Sequence, residues 1–264
     1  MEILSFRMKG KLAHFRKYYA NNTAFSFSIP PRTTLMGIVA SVMGWDKDKY
    51  YEKLSSDNVH FSIRVLSPIK KSFHRLNLLS IKHIGDLSRK LDSDFRGKGE
   101  HIQTPFEIVS GLDIRNEDVE YQIFIKPSKT GIKVFEEIKL HFLNSSPVFN
   151  TSFGIANFNA AIFDILILRN YSLKKIIDNF VTLHSEVPTK NILAINFNNE
   201  ITDYNFIEED LFPAEFIGNE NRELKKMNRL LFSTTNFPIE VKLSSKFYSI
   251  QTEDENINIV FIDE

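Results

Sequence analysis

Residues 15–45 read FRKYYANNTAFSFSIPPRTTLMGIVASVMGW, and this stretch decides the architecture because it joins a basic-aromatic loop to a helix of small and apolar residues. Leu35, Ile38, Val39 and Val42 recur at i, i+3, i+4 and i+7, the spacing of one helical face. Thr33 or Thr34 is expected to cap the start of this helix and Gly44 to end it. Upstream, Ile3 to Phe15 alternates, with Leu4, Phe6, Met8 and Leu12 on one side and Ser5, Arg7, Lys9 and Lys11 on the other, which is the period of a half-buried strand with a basic row. No acidic residue occurs between Glu2 and Asp46, while Arg7, Lys9, Lys11, Arg16, Lys17 and Arg32 all fall there. A positive local field is expected, beside a helix start whose free amides suit a polyanion.

Working outward, Val59 to Leu66 reads as a strand ending at Pro68, Val119 to Ile125 as another ending at Pro127, and Ile132 to Phe142 as a helix. Strand, helix, strand, strand, helix, strand is an α+β, ferredoxin-like layout. Between the middle strands, residues 69–105 lack a clean period and carry Lys70, Lys71, Arg75, Lys82, Arg89, Lys90, Arg96 and Lys98 around three glycines, which suggests a projecting basic insertion. The expected organisation is a ferredoxin-like domain over residues 1–144 and a smaller β-rich C-terminal part over residues 145–264. That second part should hold a strand at Ala161 to Leu168, a helix near Leu173 to Leu183, and late strands at Ile239 to Leu243, Phe247 to Gln251 and Ile257 to Ile262.

A chain of 264 residues, 42% hydrophobic and 25% charged, is large enough for a sizeable core. Its zero net charge hides an asymmetry: residues 1–110 hold 18 Lys+Arg against 10 Asp+Glu, and residues 111–264 hold 15 against 23. With no cysteine, disulfides, thiolate metal sites and cysteine nucleophiles are excluded. Arg7, Lys9 and Lys11 interrupt any secretory pattern, and the longest apolar run, near Ala160 to Leu168, contains Asp164 and is too short to span a bilayer, so a cytoplasmic protein without membrane contact is expected.

The sequence has no Gly-rich phosphate cradle, no G-x-G-x-x-G and no G-x-S-x-G. Its seven histidines, His14, His60, His74, His83, His101, His141 and His184, lack metal-ligand spacing, so neither metal nor cofactor is expected. His60 reads as a structural histidine and Trp45 as a packing anchor at the helix end. Arg16 and Lys17 are candidates to neutralise phosphates, Tyr18 and Tyr19 to stack on splayed bases, and the amides near Thr33 to receive a further phosphate. His74, His83 and His101 lie where a metal-independent ribonuclease would need an acid-base pair.

The order of these features resembles the CRISPR-associated Cascade subunits of the Cas-five family, within the RAMP superfamily of RRM-like, ferredoxin-like RNA-binding proteins. The resemblance rests on Phe15-Arg16-Lys17, on Pro30-Pro31-Arg32-Thr33-Thr34-Leu35-Met36-Gly37-Ile38-Val39-Ala40, on Gln103-Thr104-Pro105-Phe106-Glu107, and on the Pro-aromatic-Gly segment from Pro147 to Gly154. It implies a ferredoxin-like N-terminal domain whose basic thumb is the insertion at about residues 69–105. It also implies a type I-B-like subunit that caps the 5′ handle of the guide RNA (crRNA) without cutting it, beside the backbone and large subunits, and meets target DNA only through the complex. On that basis Arg16, Lys17, Arg32, Lys71, Arg75 and Lys82 are assigned to phosphates, Tyr18 and Tyr19 to stacking or sugar contacts, and His101 with Gln103 to base edges. The type I-C branch cuts repeat RNA with a Tyr, Lys and His group, for which Lys82-His83 with Tyr18, Tyr19, Tyr50 or Tyr51 is the nearest counterpart. A metal-independent endoribonuclease and a scaffold without RNA contacts are the two alternatives.

Overall fold

A computed structural model describes residues 2–20, 23–79, 101–176, 178–197, 207–217, 222–252 and 255–264. Its first sheet has strand β1 (Ile3–Gly10) at the centre. The short strands β2 (Leu12–Ala13), β3 (Phe15–Arg16) and β4 (Ser26–Phe27) follow, then helix α1 (Arg32–Met43) and strand β5 (Val59–Val65). Strands β6 (Ile69–Leu79) and β7 (His101–Gly111) precede β8 (Val119–Pro127), helix α2 (Ile132–Asn144) and β9 (Ala161–Leu168). Four of these strands form one antiparallel sheet in the order β5-β8-β1-β9. The chain order β1, α1, β5, β8, α2, β9 is consistent with a ferredoxin-like unit in an α+β fold.

The alternation in β1 does what its period predicts. Leu4, Phe6 and Met8 are fully buried and stand opposite Ile125, Ile123 and Tyr121 of β8, making the apolar face on which the helices lie. From α2, Phe135, Ile138 and Phe142 fill that face, with the Phe142 ring 4.9 Å from Phe6. Helix α1 is buried on more than one side, and Phe212, Leu230 and Phe232 from the later hairpin join the same core. Gly44, at φ 69, ends α1 in the left-handed conformation that glycine adopts without a Cβ penalty.

The C-terminal strands are β10 (Tyr171–Lys174), β11 (Val181–Leu183), β12 (Val187–Pro188), β13 (Ile192–Asn196), β14 (Ile207–Phe216), β15 (Leu224–Ser233), β16 (Ile239–Leu243), β17 (Phe247–Gln251) and β18 (Asn256–Ile259). They form three-stranded sheets ordered β10-β17-β18, β11-β16-β13 and β12-β15-β14. Tyr248, Ile250, Ile257, Ile259 and Phe261 pack with Ile3 and Phe124 against the side of the first sheet that the helices leave open.

Three expectations need correction. The helix expected over Leu173 to Leu183 is replaced by β10 and β11, because β10 pairs with β17 and Asp178, at φ 70, interrupts any helical path between them. Helix α1 begins at Arg32 rather than beyond a threonine cap: Pro31 stands at the N-cap with its fixed φ, and its carbonyl accepts the Thr34 and Leu35 amides at 2.8 and 3.0 Å. Finally β9, assigned to the C-terminal part, is the fourth strand of the first sheet, so that sheet draws on residues beyond 144. Residues 69–79 and 101–111 of the region expected to be an insertion pair as a long β6–β7 ladder, in register from Ile69↔Gly111 to Leu79↔His101. Among the described residues no helix is long and apolar enough to cross a membrane.

Candidate nucleic-acid interface

Folding brings distant carboxylates to the acid-free run, so the positive field expected there is largely neutralised. Arg7 meets Asp164 at 3.0 Å, and Lys9 and Lys11 both meet Asp118, at 3.2 and 3.1 Å. Lys17 is 2.5 Å from Asp210 on β14. Burial alone would lower the pKa of that ammonium, but the bond to Asp210 outweighs it and the net direction is up. Of the six cations only Arg16 lacks a carboxylate partner among the described residues; it is exposed and reaches the Ala20 carbonyl at 3.4 Å.

Arg32 departs furthest from its assigned role. Its side chain is 1% exposed, its Nε donates to Asp263 at 3.0 Å, and its terminal nitrogens donate to the carbonyls of Leu54, Val59 and Ala214. The guanidinium is also 5.2 Å from the centre of the Phe61 ring. With its donors turned inward, Arg32 is a core anchor and not a phosphate contact.

A groove of about 370 Å³ opens beside the start of α1. One wall is the strand segment carrying His14, Arg16 and Tyr18, and the floor is the first turns of α1, with Thr33, Thr34 and Gly37. The other walls are Tyr50 and Tyr51, the loop carrying Asn150, Ser152 and Gly154, and Arg222 beyond β14. Among the described residues no carboxylate lines it, although Asp48 sits just outside and holds Arg222 at 2.9 Å while accepting the Tyr51 hydroxyl at 2.7 Å. Burial, reinforced by that hydrogen bond to Asp48, raises the Tyr51 pKa and keeps the phenol protonated. The first amides of α1, at Arg32 and Thr33, precede its hydrogen-bonded ladder and bring the positive end of the helix dipole to the groove.

Glycine at 154 is a requirement of this geometry. Its φ is 92, and a Cβ there would lie 1.9 Å from the His14 carbonyl oxygen, so only glycine lets the loop run this close to the strand. The same approach is fixed by the His14 amide, which donates to the Phe153 carbonyl at 3.0 Å. The His14 ring is buried, stacks on Phe106 with centroids 3.9 Å apart, and has Nδ1 2.7 Å from the Glu107 carbonyl. Burial lowers its pKa and so favours the neutral ring, and the carbonyl partner places the proton of that ring on Nδ1.

The structure therefore gathers Arg16, Tyr18 and Thr33 at one groove, with Tyr19 beside it. Lys71, Arg75 and Gln103 stand apart on the β6–β7 ladder. Lys71 reaches Glu208 at 3.4 Å, whereas Arg75 and Gln103 are exposed. Lys82 and His83 lie outside the described residues, as does the side chain of His101. His74 is exposed and 3.0 Å from the Ser72 hydroxyl. Sequence reasoning missed Arg222, Asn150 and Ser152 as groove residues, and Phe25 and Phe73 as exposed rings. The segment from Pro147 to Gly154 carried a signal for two of them; nothing local marks Arg222. Among the described residues no group of three or more His, Cys, Asp or Glu side chains is placed to hold a metal.

No protein-family model and no curated protein sequence matches this chain. Solved structures do resemble it. A CRISPR protein from Archaeoglobus fulgidus aligns over 98% of this chain and 99% of its own, at 13% identity and a TM-score of 0.55. Weaker likenesses are a chain of a CRISPR RNA-guided surveillance complex (11% identity, 89% and 91% covered, TM-score 0.46) and a chain of a type III-B Cmr-beta complex bound to cognate target RNA (13%, 91% and 86%, 0.44). The chain thus shares the fold of a CRISPR protein, an α+β arrangement of antiparallel sheets with, among the described residues, two α-helices.

Proposed function

We propose that this chain is a non-catalytic, RNA-binding subunit of a type I CRISPR surveillance complex, of the I-B kind, that holds the 5′ handle of the guide RNA. The observation that carries the reading is the groove. An arginine without a carboxylate partner, an exposed tyrosine pair, the first amides of a helix and a loop of hydrogen-bonding side chains meet there, and among the described residues no carboxylate lines the site. Such a site grips a phosphate backbone with the arginine and the helix-start amides and leaves sugars and bases to the tyrosines and to Asn150 and Ser152. The full-length alignment with a CRISPR protein supports placing that activity in a guide-RNA complex. In this reading the backbone and large subunits are its neighbours, target DNA reaches it only through the complex, and the β6–β7 ladder is the base of an RNA-gripping thumb in a cytoplasmic particle.

The test is incubation of purified protein with repeat-derived RNA in EDTA. Tight binding without cleavage is expected. Cleavage would establish the ribonuclease alternative, and the absence of binding would leave a scaffold role.

A further inference from the structure

Two pairs of exposed aromatic rings flank β3 and β4, the strands beside the groove. Tyr18 and Tyr19, 52% and 54% exposed, meet edge to face with centroids 5.2 Å apart. Phe25 and Phe73, 40% and 57% exposed, do the same at 5.7 Å. The two pairs are neighbours, because β3 pairs with β4 and the Lys17 amide donates to the Phe25 carbonyl at 2.9 Å. Phe73 belongs to the alternating row Lys71, Phe73, Arg75, Asn77 on one face of β6, with Gln103 of β7 opposite Asn77.

Two exposed ring pairs on neighbouring strands make an apolar patch of the kind that often marks a binding surface. An anionic partner fits this surface, since exposed Arg16 lies on β3, exposed Arg75 follows Phe73 in the same row of β6, and neither has a carboxylate partner among the described residues. A flat apolar surface with regular negative charge alongside is what a single nucleic-acid strand supplies.

We infer that Phe25 and Phe73, continuing from Tyr18 and Tyr19, form a stacking surface for unpaired nucleobases. A strand held in the groove by its backbone runs on along the β6–β7 ladder with its bases against these rings. The inference rests on the RNA-binding reading of the groove and extends its footprint. Because every base has a π-face, these contacts tolerate any sequence and set the length of strand that is bound.

The test compares an RNA of handle sequence with an abasic strand of the same length and charge. Phe25→Leu and Phe73→Leu keep an apolar side chain at the joint between the ladder and the loop, and thermal melting verifies that each variant is folded. Each leucine variant is expected to lose about tenfold in affinity for the base-bearing strand and nothing for the abasic one, and Phe73→Trp is expected to restore binding. Folded leucine variants that bind the base-bearing strand like wild type would overturn the stacking surface while leaving the groove reading intact. Equal losses on both strands would show that the rings only position the ladder, which also overturns it. Wild type that binds neither strand refutes both readings together.

Discussion

Replacing Asp263 with alanine removes the carboxylate that faces the Arg32 guanidinium, where both side chains are at most 1% exposed. The guanidinium keeps its carbonyl partners at Leu54, Val59 and Ala214 but loses its counter-ion, and the Phe61 amide loses its 3.3 Å bond to the same carboxylate. Removing one partner of a buried pair costs about 3–5 kcal/mol, because an uncompensated charge is left in the interior. That is a large share of the roughly 5–15 kcal/mol that holds a domain together. Urea denaturation of Asp263→Ala should therefore give an unfolding free energy lower by about 3–5 kcal/mol, seen as a lower midpoint at unchanged slope, while Arg32→Met with Asp263→Ala, which removes the charge as well, should recover part of the loss. A loss below about 1 kcal/mol would refute the reasoning, since that is the level of an exposed pair. RNA affinity supplies a second check: the folded double variant should bind handle RNA as wild type does. A selective loss of binding at unchanged stability would return Arg32 to the phosphate-contact role from which its burial removes it.

Other outcomes follow from the same geometry. Arg16→Ala should lower the slope of log affinity against log salt by about 0.7, one phosphate contact on a single strand, and a salt titration measures it. Asp210→Asn frees the Lys17 ammonium and should tighten RNA binding; weaker binding would mean instead that Asp210 positions Lys17 for use. Gly154→Ala should destabilise by at least about 1–3 kcal/mol, the cost of one strained residue, because the new Cβ meets the His14 carbonyl, and it should weaken RNA binding as the groove wall shifts. Burial alone would raise the Glu215 carboxyl, but the Ser56 hydroxyl and amide and the Lys225 ammonium outweigh it and hold the pKa at about 2. A depressed carboxylate contributes stability above its unfolded pKa and loses it as pH falls through the folded one, so stability should drop between about pH 4.5 and 2, less steeply in Glu215→Gln.

The parts of the fold legible in the sequence are those set by local period. Leu4, Phe6 and Met8 alternate because β1 has one face under the helices, and Leu35, Val39 and Val42 repeat because α1 lies on that face. The stretch from Leu173 to Leu183 misled because its apolar spacing is helical, while the pairing of Tyr171–Lys174 with β17 is a tertiary fact that no local period records. The fate of the cations was hidden for the same reason. Asp118, Asp164, Asp210 and Asp263 lie far along the chain from Lys9, Arg7, Lys17 and Arg32, and charge counts within a window cannot see them. The groove was half legible: Arg16, Tyr18 and Thr33 came from the opening motif, whereas Arg222 is brought in by a hairpin whose place over α1 depends on core packing.

The pair between Arg32 and Asp263 also has a consequence in time, since its members are separated by 231 residues of chain. At roughly 5–20 residues per second, synthesis needs about 10–50 s to supply the carboxylate after the guanidinium has appeared. Throughout that interval the start of α1 has its cation but not its anion, and the apolar faces destined to cover it are partly unmade. Closure around the helix start is then a late, long-range event that carries the full entropic cost of joining distant segments. The groove shares that delay, since Arg222 on its far wall is made 190 residues after the Arg32 that opens the helix forming its floor.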